Sequence, residues 1–256
     1  MENFSFIRHG NKMEAGVDRL SIEESGLTVD QQNKWKEACA TLDEGVDPEI
    51  TYENLPLIEK MAVDIFEKLP DKALLLFAST DFPRTRMTCA LLSMELTRLG
   101  LENPDKHIVT GSIWESPEVA NQDESISNLP GEAKGFLDLW KKFKDREEAK
   151  SDPSLKEYFK QSGGEKTHPK EQEIVFKLAN QDLANPDSVF RKRADQIKGQ
   201  IESFKKRYPD GDYKTYFFGI GHVSTLISVD IALNDREKYD RVEEIPTPLT
   251  IIKAEK

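Results

Sequence analysis

Phe4-Ser5-Phe6-Ile7-Arg8-His9-Gly10 is an apolar run that ends in charged and polar residues. A second run, Gly219-Ile220-Gly221-His222, ends a later apolar stretch in the same way. Each histidine therefore stands where a buried strand is expected to end. In open α/β sheets the carboxyl ends of the strands line the active crevice. Two histidines at these strand ends, with an arginine beside the first, are suited to bind an anion and to supply a nucleophile.

The spacing of apolar residues predicts strands that alternate with helices. Strands are predicted at Phe4–Ile7, Ala73–Ala78, His107–Trp114, Tyr213–Gly219 and Leu249–Lys253. Helices are predicted from a capping box at Thr28 and Gln31 onward, and at Leu55–Leu69, Thr85–Leu99, Val189–Tyr208 and Thr225–Leu233. This alternation indicates an α/β fold with a mostly parallel sheet and helices on both faces.

The stretch from Ala120 to Asp187 breaks this alternation and is dense in Lys, Glu and Asp. Its apolar residues, such as Phe136 and Trp140, fall at helical spacing. We interpret it as a charged helical cap, at about 120–187, inserted into a single domain that covers residues 1–256. A solvated loop is the alternative interpretation.

The composition excludes several classes of protein. A net charge of −11 and a pI of about 5.0 argue against a general nucleic-acid partner. No apolar run reaches the roughly 20 residues of a membrane helix, and no leader-like segment is seen, so we expect a cytoplasmic protein without a membrane partner. Cys39 and Cys89 form no close-spaced motif and are expected to be free thiols.

Further motifs lie between the two histidine runs. The apolar run Leu74–Ser79 ends in a serine, and Arg84-Thr85-Arg86-Met87-Thr88-Cys89-Ala90 follows it. Together with Arg8-His9-Gly10 and the late His222, this ordered set resembles the histidine phosphatase superfamily, which includes the cofactor-dependent phosphoglycerate mutases. The resemblance spans most of the chain. It implies a phosphoglycerate mutase-like fold and a hydrolase of phosphomonoesters that needs no metal and no other cofactor.

The residue types suit phosphoryl transfer. Neutral imidazole at His9 can attack phosphorus and form a phosphohistidine, which splits one difficult step into two easier ones. Arg8 and Arg84 offer paired donors that match two phosphate oxygens. His222 is placed to stabilise charge on the phosphoryl oxygens. Arg86 competes with Arg84, but the family pattern favours Arg84 and leaves Arg86 on the helix surface.

The other two histidines, His107 and His168, are expected to be structural or on the surface. The histidines and cysteines show no close spacing that would indicate a metal site.

The resemblance also implies a proton donor, for which Glu115 in Ile113-Trp114-Glu115 is the nearest match and Glu118 the alternative. Asn11, directly after Gly10, is assigned to substrate binding, where it donates to the phosphate or to the rest of the substrate. The acid phosphatase branch of the family supplies its proton donor from a His-Asp pair instead. Here Val223 follows His222, so that donor is absent.

Three functions are therefore compared. The leading one is a phosphomonoester hydrolase that acts through phosphohistidine on a phosphorylated small molecule or phosphoprotein. A phosphotransferase of the phosphoglycerate mutase type shares its first half-reaction. The third is a non-catalytic phosphate-binding or scaffold domain. It is disfavoured because such a domain does not need a nucleophile beside the arginines that bind phosphate. The sequence leaves the substrate and the oligomeric state open.

Overall fold

The computed structural model describes residues 4–10, 21–43, 48, 50–79, 82–112 and 171–254. Within them the fold is α/β, with one five-stranded sheet and six α-helices. The strands are β1 (Phe4–Arg8), β2 (Lys72–Ser79), β3 (His107–Ser112), β4 (Lys214–Gly221) and β5 (Ile251–Ile252). The helices are α1 (Val29–Cys39), α2 (Asn54–Phe66), α3 (Pro83–Glu102), α4 (Glu171–Leu183), α5 (Val189–Arg207) and α6 (Val223–Asn234).

The strand order is β3-β2-β4-β1-β5, and only β5 runs antiparallel to its neighbour. The described sheet therefore confirms the expected mostly parallel arrangement. Arg8 of β1 lies opposite Gly221 of β4, and Ser79 of β2 lies opposite Ile220. This register brings the carboxyl ends of β1, β2 and β4 to one edge of the sheet.

Helices cover both faces of the sheet. Phe4 and Phe6 of β1 project to the face that α4, α5 and α6 cover, where they pack with Phe204 and Phe217. Ile7 projects to the other face, into the core formed with α1, α2 and α3. Because successive side chains of a strand alternate between faces, strands buried on both sides read as continuous apolar runs.

The predicted cap overlaps the described part of the chain only at its carboxyl end. There α4 places Val175, Ala179 and Leu183 in the core shared with β1 and α5. Residues 171–183 are thus part of the helical layer on the sheet. Residues 120–170 of the predicted cap lie outside the described residues.

Local sequence signals account for the starts of α1 and α3. The Thr28 hydroxyl accepts from the Gln31 amide at 3.3 Å while the Gln31 side chain accepts from the Thr28 amide at 3.1 Å, so the predicted capping box is confirmed. The third helix begins two residues before the predicted Thr85, because Pro83 has a backbone already suited to the first helical turn.

The last predicted strand, Leu249–Lys253, is too long, and only Ile251–Ile252 forms β5. The physical reason lies at its start, where Leu249 has a φ of 61°. This left-handed conformation is incompatible with an extended strand.

Gly219 of β4 is predicted to be essential for packing. It lies opposite Phe6, and an added Cβ would stand 2.6 Å from the Phe6 ring, well inside van der Waals contact. Gly219→Ala should therefore lower the free energy of unfolding by about 1–3 kcal/mol, as overpacked cores do. Gly199→Ala is the matched control, because nothing lies within 4 Å of its added Cβ in α5. The control should be stabilising by about 0.5–1 kcal/mol. Urea denaturation of both variants tests this, and equal stabilities would contradict it.

Candidate active site

The two histidines lie side by side at the point where the helices that follow neighbouring strands pack on opposite faces of the sheet. The helices after β1 and β2 pack on one face, whereas α6, which follows β4, packs on the other. Since β4 lies between β1 and β2, this topology predicts a crevice at their carboxyl ends, the usual ligand position in such sheets. His9 directly follows β1, and His222 directly follows β4 as the N-cap residue of α6.

Ring contacts join His9, His222 and Arg84 through Phe82, which the sequence analysis did not single out. The His9 and His222 rings lie edge to face, with centroids 4.9 Å apart. The Phe82 ring contacts His222, with centroids 4.8 Å apart, and the Arg84 guanidinium lies over the Phe82 ring at 4.8 Å. The backbone amide of His9 donates to the carbonyl of Gly221 at 3.0 Å, which fixes the two strand ends side by side.

Arg8 is buried at the same edge and is held by the chain that follows α6. Its Nη1 donates to the carbonyl of Pro246 at 2.7 Å. Its backbone amide donates to Thr250, and its carbonyl accepts from Leu249, at 3.0 and 3.1 Å. Leu249 holds the left-handed conformation described above, which costs a bulky residue about 1–2 kcal/mol. The turn that carries this strain is the one that holds Arg8.

The hydrogen bond made by the His9 ring defines its tautomer. Nδ1 lies 2.7 Å from the carbonyl oxygen of Gly10. A carbonyl oxygen only accepts, so we assign the imidazole proton to Nδ1. The lone pair of the neutral ring is then on Nε2.

Burial keeps this imidazole neutral. Desolvation lowers the pKa of His9 well below its ordinary 6.5, and Coulombic interactions with His222, Arg84 and Arg8 lower it further. The hydrogen bond to Gly10 acts in the opposite direction and is outweighed. Near pH 7 the site therefore holds a neutral base among groups that carry or can carry positive charge.

Gly10 is buried between two side chains that the sequence analysis did not select. Its amide donates to the Thr88 hydroxyl at 3.1 Å, and an added Cβ would lie 2.6 Å from the Asn54 side-chain oxygen. Thr88 carried a weak signal, since it stands one helical turn after Arg84 in the quoted motif. Asn54 carried none, because its proximity to Gly10 arises only from tertiary packing.

Other candidate residues lie away from this crevice. Arg86 donates to the Asp43 carboxylate at 3.2 Å and to the carbonyl of Thr41, beside the end of α1. His107 is exposed at the amino end of β3, the opposite edge of the sheet. Burial raises the pKa of the Cys89 thiol to about 12, so this thiol is not a nucleophile near neutral pH.

Three groups of predicted residues lie outside the described ranges: the substrate-binding Asn11, the proton-donor candidates Glu115 and Glu118, and His168. Their assignments stay predictions. Among the residues that the structure describes, no group of three or more His, Cys, Asp or Glu side chains is placed to hold a metal ion.

Comparison of the chain with protein-family models and with curated proteins finds no match. In the described part of the chain, no helix combines the length and the apolar character needed to cross a membrane.

The charge environment of His9 generates a test that does not depend on any substrate. Arg84→Ala removes a positive charge that lowers the pKa of His9, so this pKa should rise in the variant. Arg86→Ala is the control, since Arg86 is engaged with Asp43 and should leave the His9 titration unchanged. NMR titration of the imidazole signals measures both. A wild-type pKa at or above 6.5, or no response to Arg84→Ala, would contradict this electrostatic account.

Proposed function

We propose that this chain is a phosphomonoester hydrolase that transfers the phosphoryl group through His9. The observation that carries the proposal is the His9 ring itself, which is neutral, buried, and bonded through Nδ1 to the Gly10 carbonyl. Its Nε2 lone pair is therefore available at neutral pH. The proposal includes a phosphoglycerate mutase-like fold, which the parallel sheet and the two strand-end histidines support.

In the first half-reaction the Nε2 lone pair of His9 attacks phosphorus, and the bond from phosphorus to the leaving oxygen breaks. The leaving oxygen needs a proton, for which the resemblance to the histidine phosphatases assigns Glu115. In the second half-reaction water attacks the phosphohistidine, the carboxylate takes the proton of the water, and the P–N bond breaks. His9 then returns to its neutral state with the proton still on Nδ1.

Negative charge on the transferred group is stabilised by the cationic side chains around His9. Arg8 and Arg84 supply guanidinium donors, and His222 lies directly against the His9 ring. The amino termini of α3 and α6 belong to the loops that follow β2 and β4, so both begin at the edge of the sheet that holds His9. Helix amino termini favour anions, which adds to the same effect.

We propose that His9→Ala abolishes turnover while the fold is kept. Alkaline-quench labelling with a phosphorylated substrate should trap phosphate on His9 that is stable in base and is lost in acid. Transfer of the trapped phosphate to water indicates the hydrolase, whereas transfer to a second phosphorylated metabolite indicates the phosphotransferase. Wild-type turnover without this intermediate in a single-turnover experiment would overturn the covalent mechanism, and binding of phosphate without turnover would favour a scaffold domain.

The two nearby arginines on α3 provide a second test. Arg84→Ala should lower kcat/KM by about 10²–10³, the usual scale for losing one preorganised donor to developing charge. Arg86→Ala should leave the rate close to wild type, because its guanidinium is bound to Asp43 and Thr41. Steady-state rates with p-nitrophenyl phosphate measure both. A larger loss of kcat/KM in Arg86→Ala than in Arg84→Ala would show that Arg84 is not the second phosphate-binding arginine.

A further inference from the structure

We infer that Thr88 and Asn54 are positioning residues that clamp Gly10 from two sides and thereby hold His9 in the tautomer with its lone pair on Nε2. The effect on rate rests on the proposed function. The effect on the tautomer does not, because it is a property of the protein without substrate.

The Thr88 side chain connects the loop that contains His9 and Gly10 to α3, the helix that carries Arg84. Its hydroxyl proton is donated to the Arg84 carbonyl at 2.8 Å, so its oxygen lone pairs are left to accept the Gly10 amide at 3.1 Å. Thr88 is only 1% exposed, so water does not compete for either bond. One hydroxyl therefore ties the peptide after His9 to the first turn of α3.

Asn54 blocks the position that a side chain at Gly10 would occupy. It is fully buried at the start of α2, and its Nδ2 donates to the Thr51 carbonyl at 2.9 Å and to the Thr51 hydroxyl at 3.1 Å. These bonds anchor the amide group so that its oxygen end rests against Gly10. Gly10 is required here because any side chain would occupy the space of Asn54.

The two contacts act on the group that sets the tautomer. With its amide bound to Thr88 and its Cα against Asn54, Gly10 keeps its carbonyl 2.7 Å from Nδ1 of His9. A neutral imidazole can carry its proton on either nitrogen, and the bond made by one nitrogen decides the reactivity of the other. If Gly10 shifts, the carbonyl no longer holds the proton on Nδ1, and Nε2 loses its lone pair to protonation in part of the molecules.

The experiment compares Thr88→Val, which keeps the shape but removes the hydroxyl, with Thr88→Ser, which restores it. Thr97→Val is the matched control on the same helix, because Thr97 also donates to the carbonyl four residues earlier, at 2.8 Å, and has a second hydroxyl partner, Thr110. The readout is the ¹⁵N NMR signature of the His9 imidazole in the full chain without substrate. Asn54→Ala tests the other side of the clamp.

We expect the Nδ1–H tautomer of His9 in wild type, Thr88→Ser and Thr97→Val, and a measurable Nε2–H population in Thr88→Val and Asn54→Ala. An unchanged tautomer in folded Thr88→Val would overturn the proposal. So would an equal shift in Thr97→Val, because it would show a general loss of stability.

Kinetics with p-nitrophenyl phosphate separate this proposal from the proposed function. Thr88→Val should lower kcat by roughly 10- to 100-fold, the scale for a reactive group displaced by a fraction of an ångström to 1 Å, with a smaller change in KM. Thr88→Ser should recover most of kcat. A tautomer shift in a protein without phosphatase activity would support the clamp while overturning the phosphatase. An active enzyme with a shifted tautomer and an unchanged kcat would overturn the role of the clamp in catalysis.

Discussion

A backbone hydrogen bond from the amide of His9 to the carbonyl of Gly221, 3.0 Å long, continues the parallel ladder of β1 and β4 past the end of β1. The meeting of the two histidines depends on this pairing. It places His9 against His222, while the helices that follow the two strands lie on opposite faces of the sheet. A slip of one residue would turn Phe4 and Phe6 to the wrong face, so the hydrophobic core enforces the geometry of the site.

Desolvation then decides what the site can bind. His9 and Arg8 are both almost fully buried, and two further groups that carry or can carry positive charge, Arg84 and His222, act on the same imidazole. Because burial and these charges oppose protonation, the ring remains neutral and the local field favours an anion. The chain as a whole has a net charge of −11, so it repels anions at long range. The positive field around His9 is therefore local to the site.

The sequence predicted the strands, the parallel sheet and the meeting of His9 with His222, because apolar runs and their ends are local signals. The order of residues in the motif favoured Arg84 over Arg86, and Arg84 is the one that lies near His9, whereas Arg86 pairs with Asp43. The sequence could not predict Asn54, whose contact with Gly10 depends on how α2 packs. Nor could it predict that Leu249 shortens β5, since a left-handed leucine is imposed by the turn around Arg8 and not by its own propensity.

The position of β1 in the sheet has a consequence during synthesis. Of the five strands it is translated first, yet its neighbours β4 and β5 are the last two, and the bond from Arg8 to Pro246 spans 238 residues. Until those strands leave the ribosome, the apolar β1 segment has unpaired edges and exposed phenylalanines, the features that chaperones recognise and that promote aggregation. Long sequence separation also slows folding. The nascent chain therefore completes the sheet edge that holds His9 only after β5 has been translated.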